Sequence, residues 1–234
     1  MRFSIEDAVL ERFPGMRVVG VVASGLDNRD PDGRVAAEWD ADWRRAGALA
    51  GDYANAQSHP NVAAWREALR RVGVSHKDHP SSIEALLRRA MKGGDPVRIN
   101  PAVDLLNAVS LRWVVPAGGW DLGEVEGDLA LRMTVEGDTF RSLDADEPEA
   151  LPPGEVAYAD GAVVLTRHFV WRQAREALVL PRTTDAILLS EVLAGLGDDL
   201  ADRVLDDLGS RVRSLLGADV APFSLDAGRT SFEW

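Results

Sequence analysis

Residues 93–111 read GGDPVRINPAVDLLNAVSL, and this stretch organises the rest of the chain. Pro101 suits the first position of a helix, where its missing N–H costs nothing, and Asn100 suits the cap before it. Asp104, Asn107 and Ser110 then recur every three residues, a spacing that puts them on one helix face. Val103, Leu106 and Val109 fall on another face. The spacing predicts an amphipathic helix whose polar stripe is either solvated or turned toward a ligand. Upstream, Gly93-Gly94 ends a preceding helix. Its start is written in Ser81 and Glu84, which have capping-box spacing. Ile83, Leu86, Leu87 and Ala90 form its buried stripe, and Arg88, Arg89 and Lys92 crowd its last turn, where the helix dipole favours cations.

Farther toward the N-terminus, Trp39, Trp43 and Ala46 mark one helix. Val62, Trp65, Leu69 and Val72 mark another that ends at Gly73, and these tryptophans read as core. Residues 16–24, MRVVGVVAS, read as a buried strand. Ser4 to Phe13 reads as a short helix capped by Ser4 and stopped at Pro14-Gly15. Downstream, the pattern turns strand-like at Leu129. Residues 156–158 and 163–165 flank Asp160-Gly161, a hairpin signature. Leu178 to Leu180 reads as a short strand, Ala186 to Leu196 as a helix, and residues 198–217 as a helical C-terminal extension. No repeat or linker divides the 234 residues. The expected architecture is α+β, a single compact domain with mixed sheets and packed helices, residues 1–234.

Composition bounds the chemistry. The chain has no cysteine, which removes disulfides, thiolate metal sites and cysteine nucleophiles and points to a cytoplasmic setting. Charges at the start do not fit a signal peptide, and no apolar run reaches the length of a membrane span. His59, His76, His79 and His168 show no zinc-ligand spacing, so neither metal nor cofactor is expected. There is no P-loop, no GxGxxG after a strand and no GxSxG elbow. The net charge of −12 argues against a protein that wraps nucleic acid, so any such contact must be local. Residues 121–160 hold twelve acids against two arginines, whereas residues 165–182 hold four arginines and one glutamate. The second stretch is the expected positive patch.

Several of these segments, taken in order, carry a family resemblance. Ile99, Asn100, Val103, Asp104, Asn107 and Val109 are followed by Trp120-Asp121, by Arg132 and by Glu136-Gly137. With GEVAYADGAVVL at 154–165, this order resembles the B3/B4 module of the bacterial phenylalanyl-tRNA synthetase β subunit over roughly residues 15–195. RHFVWRQAR at 167–175 resembles an element shared by freestanding relatives of that module. The module is the synthetase's editing site. The resemblance implies a protein that binds the aminoacylated 3′ end of tRNA and hydrolyses mischarged aminoacyl-tRNA in trans. The alternative is a non-catalytic module for tRNA or a free amino acid. It implies Asn100, Asp104, Asn107, Ser110, Arg132, His168 and Trp171 as substrate-binding residues, and Arg167, Arg172 and Arg175 as phosphate contacts. At two places the chain departs from the module. Gly118 stands where the synthetase has a histidine, and the Arg-His-x-x-Trp-Arg element at 167–172 replaces the synthetase's glycine-rich pocket wall after the Ala-Asp strand. The synthetase's pocket glutamate aligns loosely near Ser190-Glu191.

Overall fold

A computed structural model describes residues 1–234. Twelve strands are numbered along the chain: β1 Arg2–Ile5, β2 Arg17–Ser24, β3 Ala117–Asp121, β4 Leu129–Met133, β5 Thr139–Phe140, β6 Glu149–Ala150, β7 Val156–Asp160, β8 Val163–Arg167, β9 Arg172–Gln173, β10 Asp185–Val192, β11 Asp219–Leu225 and β12 Ser231–Glu233. Six α-helices are interspersed: α1 Asp7–Arg12, α2 Arg34–Ala48, α3 Pro60–Arg71, α4 Ser82–Met91, α5 Pro101–Trp113 and α6 Leu200–Leu216. The α+β reading holds.

The strands form two sheets. The smaller is fully antiparallel, in the order β11-β2-β10-β3. The larger runs β12-β1-β4-β7-β8-β5-β6, with β9 paired to β8 and parallel pairs at β1–β4 and β5–β8. The small sheet is the middle layer. Because strand side chains alternate between faces, Val18, Val22, Ile187 and Leu189 point into the core shared with the large sheet. Val19, Val21, Ala23, Ala186, Leu188 and Val192 point to a second core under α5 and α6. Gly20 is required at the centre of β2. A Cβ there would sit 2.7 Å from the Phe223 ring and 2.5 Å from the Leu188 carbonyl oxygen.

The structure corrects several local expectations. Ser4 lies in β1 rather than capping a helix: Phe3 and Ile5 are buried and pair with β4, and α1 begins only at Asp7. Ala186–Leu196 is not helical. Its first part is β10, buried along almost its whole length between β2 and β3. A continuous apolar run fits a buried strand as well as a helix, and the neighbouring strands decide it. Leu178–Leu180 is irregular, its carbonyls turned to side-chain donors: Asn100 to Val179 and Asn28 to Leu180. Only half of the capping box at α4 forms. Ser81 Oγ accepts from the Glu84 N–H, but the Glu84 carboxylate turns inward to Arg66 at 2.6 Å. The polar stripe of α5 is largely interior, because α5 is enclosed by α2, α4, α6 and β3. Asp104 and Ser110 are buried, and only Asn107 is half-exposed.

Beyond α6, β11 pairs with β2 and β12 pairs with β1. The C-terminal segment therefore completes both sheets. No helix is long and apolar enough to cross a membrane.

Candidate functional site

A cavity of about 80 Å³ opens between the two sheets. The alternation that sends Ile187 and Leu189 inward along β10 also sends Glu191 there. Gly118 and Trp120 come from β3, Tyr158 from β7 and Thr166 from β8. Gln173 on β9 lines the cavity too, and its side-chain amide donates to the Gly119 carbonyl at 2.9 Å, tying the large sheet to the small one. Phe169, Val170 and Trp171 form a wall, and Ser82, the first residue of α4, closes one end.

The wall is built on strained backbone. His168 and Phe169 have φ of +45° and +37°, a left-handed region that bulky residues rarely occupy. The Ser82 N–H holds this turn by donating to the Val170 carbonyl at 2.7 Å. That amide is among those a helix N-terminus leaves free, so the start of α4 and the loop satisfy each other. Conformational strain of this kind concentrates at ligand-handling sites.

At the inner end of the cavity, Tyr158 Oη donates to Glu191 Oε1 at 2.6 Å. Both residues are fully buried, and the Trp120 and Tyr158 rings pack 4.6 Å apart. Burial pushes the Glu191 carboxyl up to about 7 even though the Tyr158 hydrogen bond favours its charged form. Burial also raises the Tyr158 phenol, with the Glu191 charge acting in the same direction. The Trp120 indole N–H is buried without a hydrogen-bond partner.

A second cavity, about 210 Å³, lies on the other side of Phe169, between α1, α3 and the turn before β7. His168 and Glu155 line it. His168 packs against His79 and Trp171, with ring centroids 4.4 and 5.6 Å away. Burial lowers His168 to about 4, with the Glu155 carboxylate opposing the shift. The imidazole is therefore neutral at pH 7. No three His, Asp or Glu side chains converge as a metal-ligand set.

The residues singled out from sequence fall in different places. Trp171 lines the first cavity and His168 the second. Asn100 caps α5, accepting from the Val103 N–H at 3.1 Å and donating to the Val179 carbonyl at 2.9 Å. Asp104 accepts from the Ile99 N–H at 2.9 Å, and burial raises its carboxyl. Ser110 Oγ donates to the Val115 carbonyl at 2.6 Å. Asn107 lies on α5, outside the lining of both cavities. Arg132 makes a two-pronged pair with Asp138, at 2.7 and 2.8 Å, and also donates to the carbonyls of Met133 and Gly161.

The expected positive patch at 165–182 is mostly neutralised. Arg167 holds Glu155 and Glu149, Arg172 holds Asp144, and Arg182 holds Glu124. Arg175 is exposed and unpaired. The acid-rich segment that precedes this stretch in sequence folds back onto it.

Tyr158, Thr166 and Gln173 lie outside the set expected from sequence, and Glu191 entered there only as the neighbourhood of the synthetase's pocket glutamate. For Glu191 a signal existed: a lone acid inside the apolar run AILLSEVL is rarely buried without a purpose or a partner.

The B3/4 domain family matches residues 64–197, more than half of the chain. Trp120, Tyr158, Phe169, Trp171, Gln173 and Glu191 all lie inside that range. Among solved structures, the fold is similar to the crystal structure of an N-terminal fragment of the phenylalanyl-tRNA synthetase β-subunit from Pyrococcus horikoshii. The TM-score is 0.50 at 9% identity, over 95% of this chain and 53% of that one. This chain thus spans about half the length of that fragment, and the likeness is one of fold. No curated protein matches the sequence.

Proposed function

Since the chain belongs to the B3/4 domain family, we propose that its inter-sheet cavity binds the aminoacylated 3′ end of a tRNA and hydrolyses the ester. The observation that carries this reading is the cavity's make-up: aromatic walls at Trp120, Phe169 and Trp171, with Thr166, Gln173 and Glu191 as polar groups among them. Aromatic walls suit an aminoacyl side chain or the terminal base.

In the reaction, water adds to the ester carbonyl and the bond to the ribose oxygen breaks, releasing the amino acid and the free 3′ end. Glu191, poised near 7, can take a proton from the attacking water or hold the substrate's α-ammonium. Tyr158 fixes one carboxylate oxygen, so Glu191 acts in a single orientation. An aminoacyl ester is already activated, and positioning supplies much of the rate.

The test is a panel of charged tRNAs, following release of labelled amino acid. Wild-type protein should deacylate at least one member. Glu191→Ala should slow that release by tenfold or more, about 1.4 kcal/mol. A second reading, a binding module without chemistry, is favoured by two observations. Gly118 lines the cavity and supplies no side chain, and the Glu191 carboxyl is already engaged by Tyr158. Under that reading no charged tRNA is deacylated, while a free amino acid raises the melting temperature.

A further inference from the structure

The chain is acidic overall, yet one helix end is unopposed cation. Arg88, Arg89 and Lys92 lie in and just after the last turn of α4, all exposed. None of the three forms an ion pair, whereas Arg66, Arg70, Arg71 and Arg98 nearby all do. Residues 85–94, ALLRRAMKGG, contain no acid. Glu84, one turn back, is buried and committed to Arg66. No other five-residue window holds three cations free of carboxylate partners. The end of α2 sits alongside, with a Cβ on Gly47 only 3.2 Å from the Ala90 carbonyl oxygen. Arg44 lies in the groove that follows α4, where the nearby carboxylates are Asp95 and Asp40, the latter held by Arg98. The partial negative charge at the C-terminus of α4 lets the cluster persist without counter-ions.

The other end of α4 is Ser82, which closes the inter-sheet cavity. At about 1.5 Å per helical residue, Arg88 and Arg89 lie roughly 9–10 Å along the axis from Ser82, and Lys92 roughly 15 Å. At about 3.4 Å of rise per stacked nucleotide, that distance corresponds to roughly three to four nucleotides.

We propose that the C-terminal end of α4, Arg88, Arg89 and Lys92, is the contact surface for the sugar-phosphate backbone of a tRNA acceptor end whose terminal residue occupies the cavity. The proposal rests on the cavity reading above and adds the RNA body to it. In this arrangement α4 acts as a spacer between the aminoacyl site and the first phosphates, and the paired arginines of residues 165–182 take no part.

The experiment compares wild type with the triple variant Arg88→Ala/Arg89→Ala/Lys92→Ala. The three residues are exposed, and circular dichroism with thermal melting checks the fold. Two probes are titrated: bulk aminoacylated tRNA over a salt series, and adenosine carrying a non-hydrolysable 3′-aminoacylamide, which has no phosphate. The triple variant should bind tRNA about tenfold more weakly in low salt. The slope of log affinity against log salt should fall by about 2, as three lost single-strand phosphate contacts require. Binding of the adenosine probe should be unchanged. Unaltered tRNA affinity and slope in the triple variant would overturn the surface and leave the cavity reading standing. A wild type that binds tRNA through these residues but not the adenosine probe would retain the surface and overturn the cavity reading. A wild type that binds no tRNA would overturn both.

Discussion

Two side chains illustrate how differently a polar residue can be used. Asn100 is a cap with extra duties: besides the α5 amide it bonds Asn28 and the Val179 carbonyl, and Asn28 in turn accepts from the Ala102 N–H. Asn100→Ala should therefore lower stability by about 1–2 kcal/mol, the upper part of the range for a lost cap, in urea unfolding. Its effect on ligand binding per folded molecule should be small. Glu191 is the opposite case, a carboxyl with a perturbed proton affinity inside the cavity. Its folded-state value of about 7 exceeds its ordinary 4.5, so the folded protein holds the proton more tightly than the unfolded chain. The stability Glu191 contributes is complete below about pH 4.5 and is lost as pH rises through about 7. Glu191→Gln, which cannot ionise, should be increasingly stable relative to wild type from pH 5 to pH 8. Parallel urea curves for the two proteins across that range would remove Glu191 as a titrating interior group.

At the level of elements, α3 and α4 are tied by an interior ion pair. Arg66 donates to Glu84 at 2.6 Å, and Gln57 from the short turn before α3 donates to the same oxygen at 3.2 Å. The pair matters because α4 positions the strained loop through Ser82. Removing one member leaves an uncompensated charge in the interior. Arg66→Ala should cost about 3–5 kcal/mol, and pairing Arg66→Met with Glu84→Gln should recover most of it. Chemical unfolding of the three proteins checks this. If the double variant is as unstable as the single one, the arginine serves through packing rather than charge. The half-formed capping box has the same cause: the carboxylate that sequence assigns to the α4 cap is the one α3 needs.

For the whole molecule, the C-terminal residues close the large sheet. β12 pairs with β1, and Phe232 stacks on Phe223 at 5.3 Å and on Trp234 at 5.9 Å. Without residues 226–234, β1 would become an open edge beside the buried Phe3 and Ile5. Unpaired edges recruit other chains. The truncated protein should melt at a lower temperature and associate with rising concentration, measured by calorimetry and light scattering. A monomer with unchanged melting would mean that β12 is an ornament on the sheet.

Much of the chain was legible without coordinates because its signals are local. The caps at Asn100 and Ser81, the stripe of α4, the buried run of β2 and the Asp-Gly hairpin all act within a few residues. The order of short motifs, from Ile99–Val109 through Trp120-Asp121 and Arg132 to residues 154–165, likewise carried the family resemblance. What sequence could not decide depends on partners far along the chain. Ser4–Ile5 reads as a helix start until β4 and β12 appear beside it, and Ala186–Val192 fits either structure until β2 and β3 flank it. The site was hidden for the same reason. Trp120, Tyr158, Gln173 and Glu191 are spread over some seventy residues and four strands, and only sheet pairing brings them to one cavity. The charge pattern was misread likewise: the arginines of 165–182 look free in sequence, but the fold lays Asp144, Glu149 and Glu155 against them. Local hydrogen bonding and periodicity are written in neighbouring residues. Register, ion pairing and cavity lining are set by which distant segments the hydrophobic cores bring together.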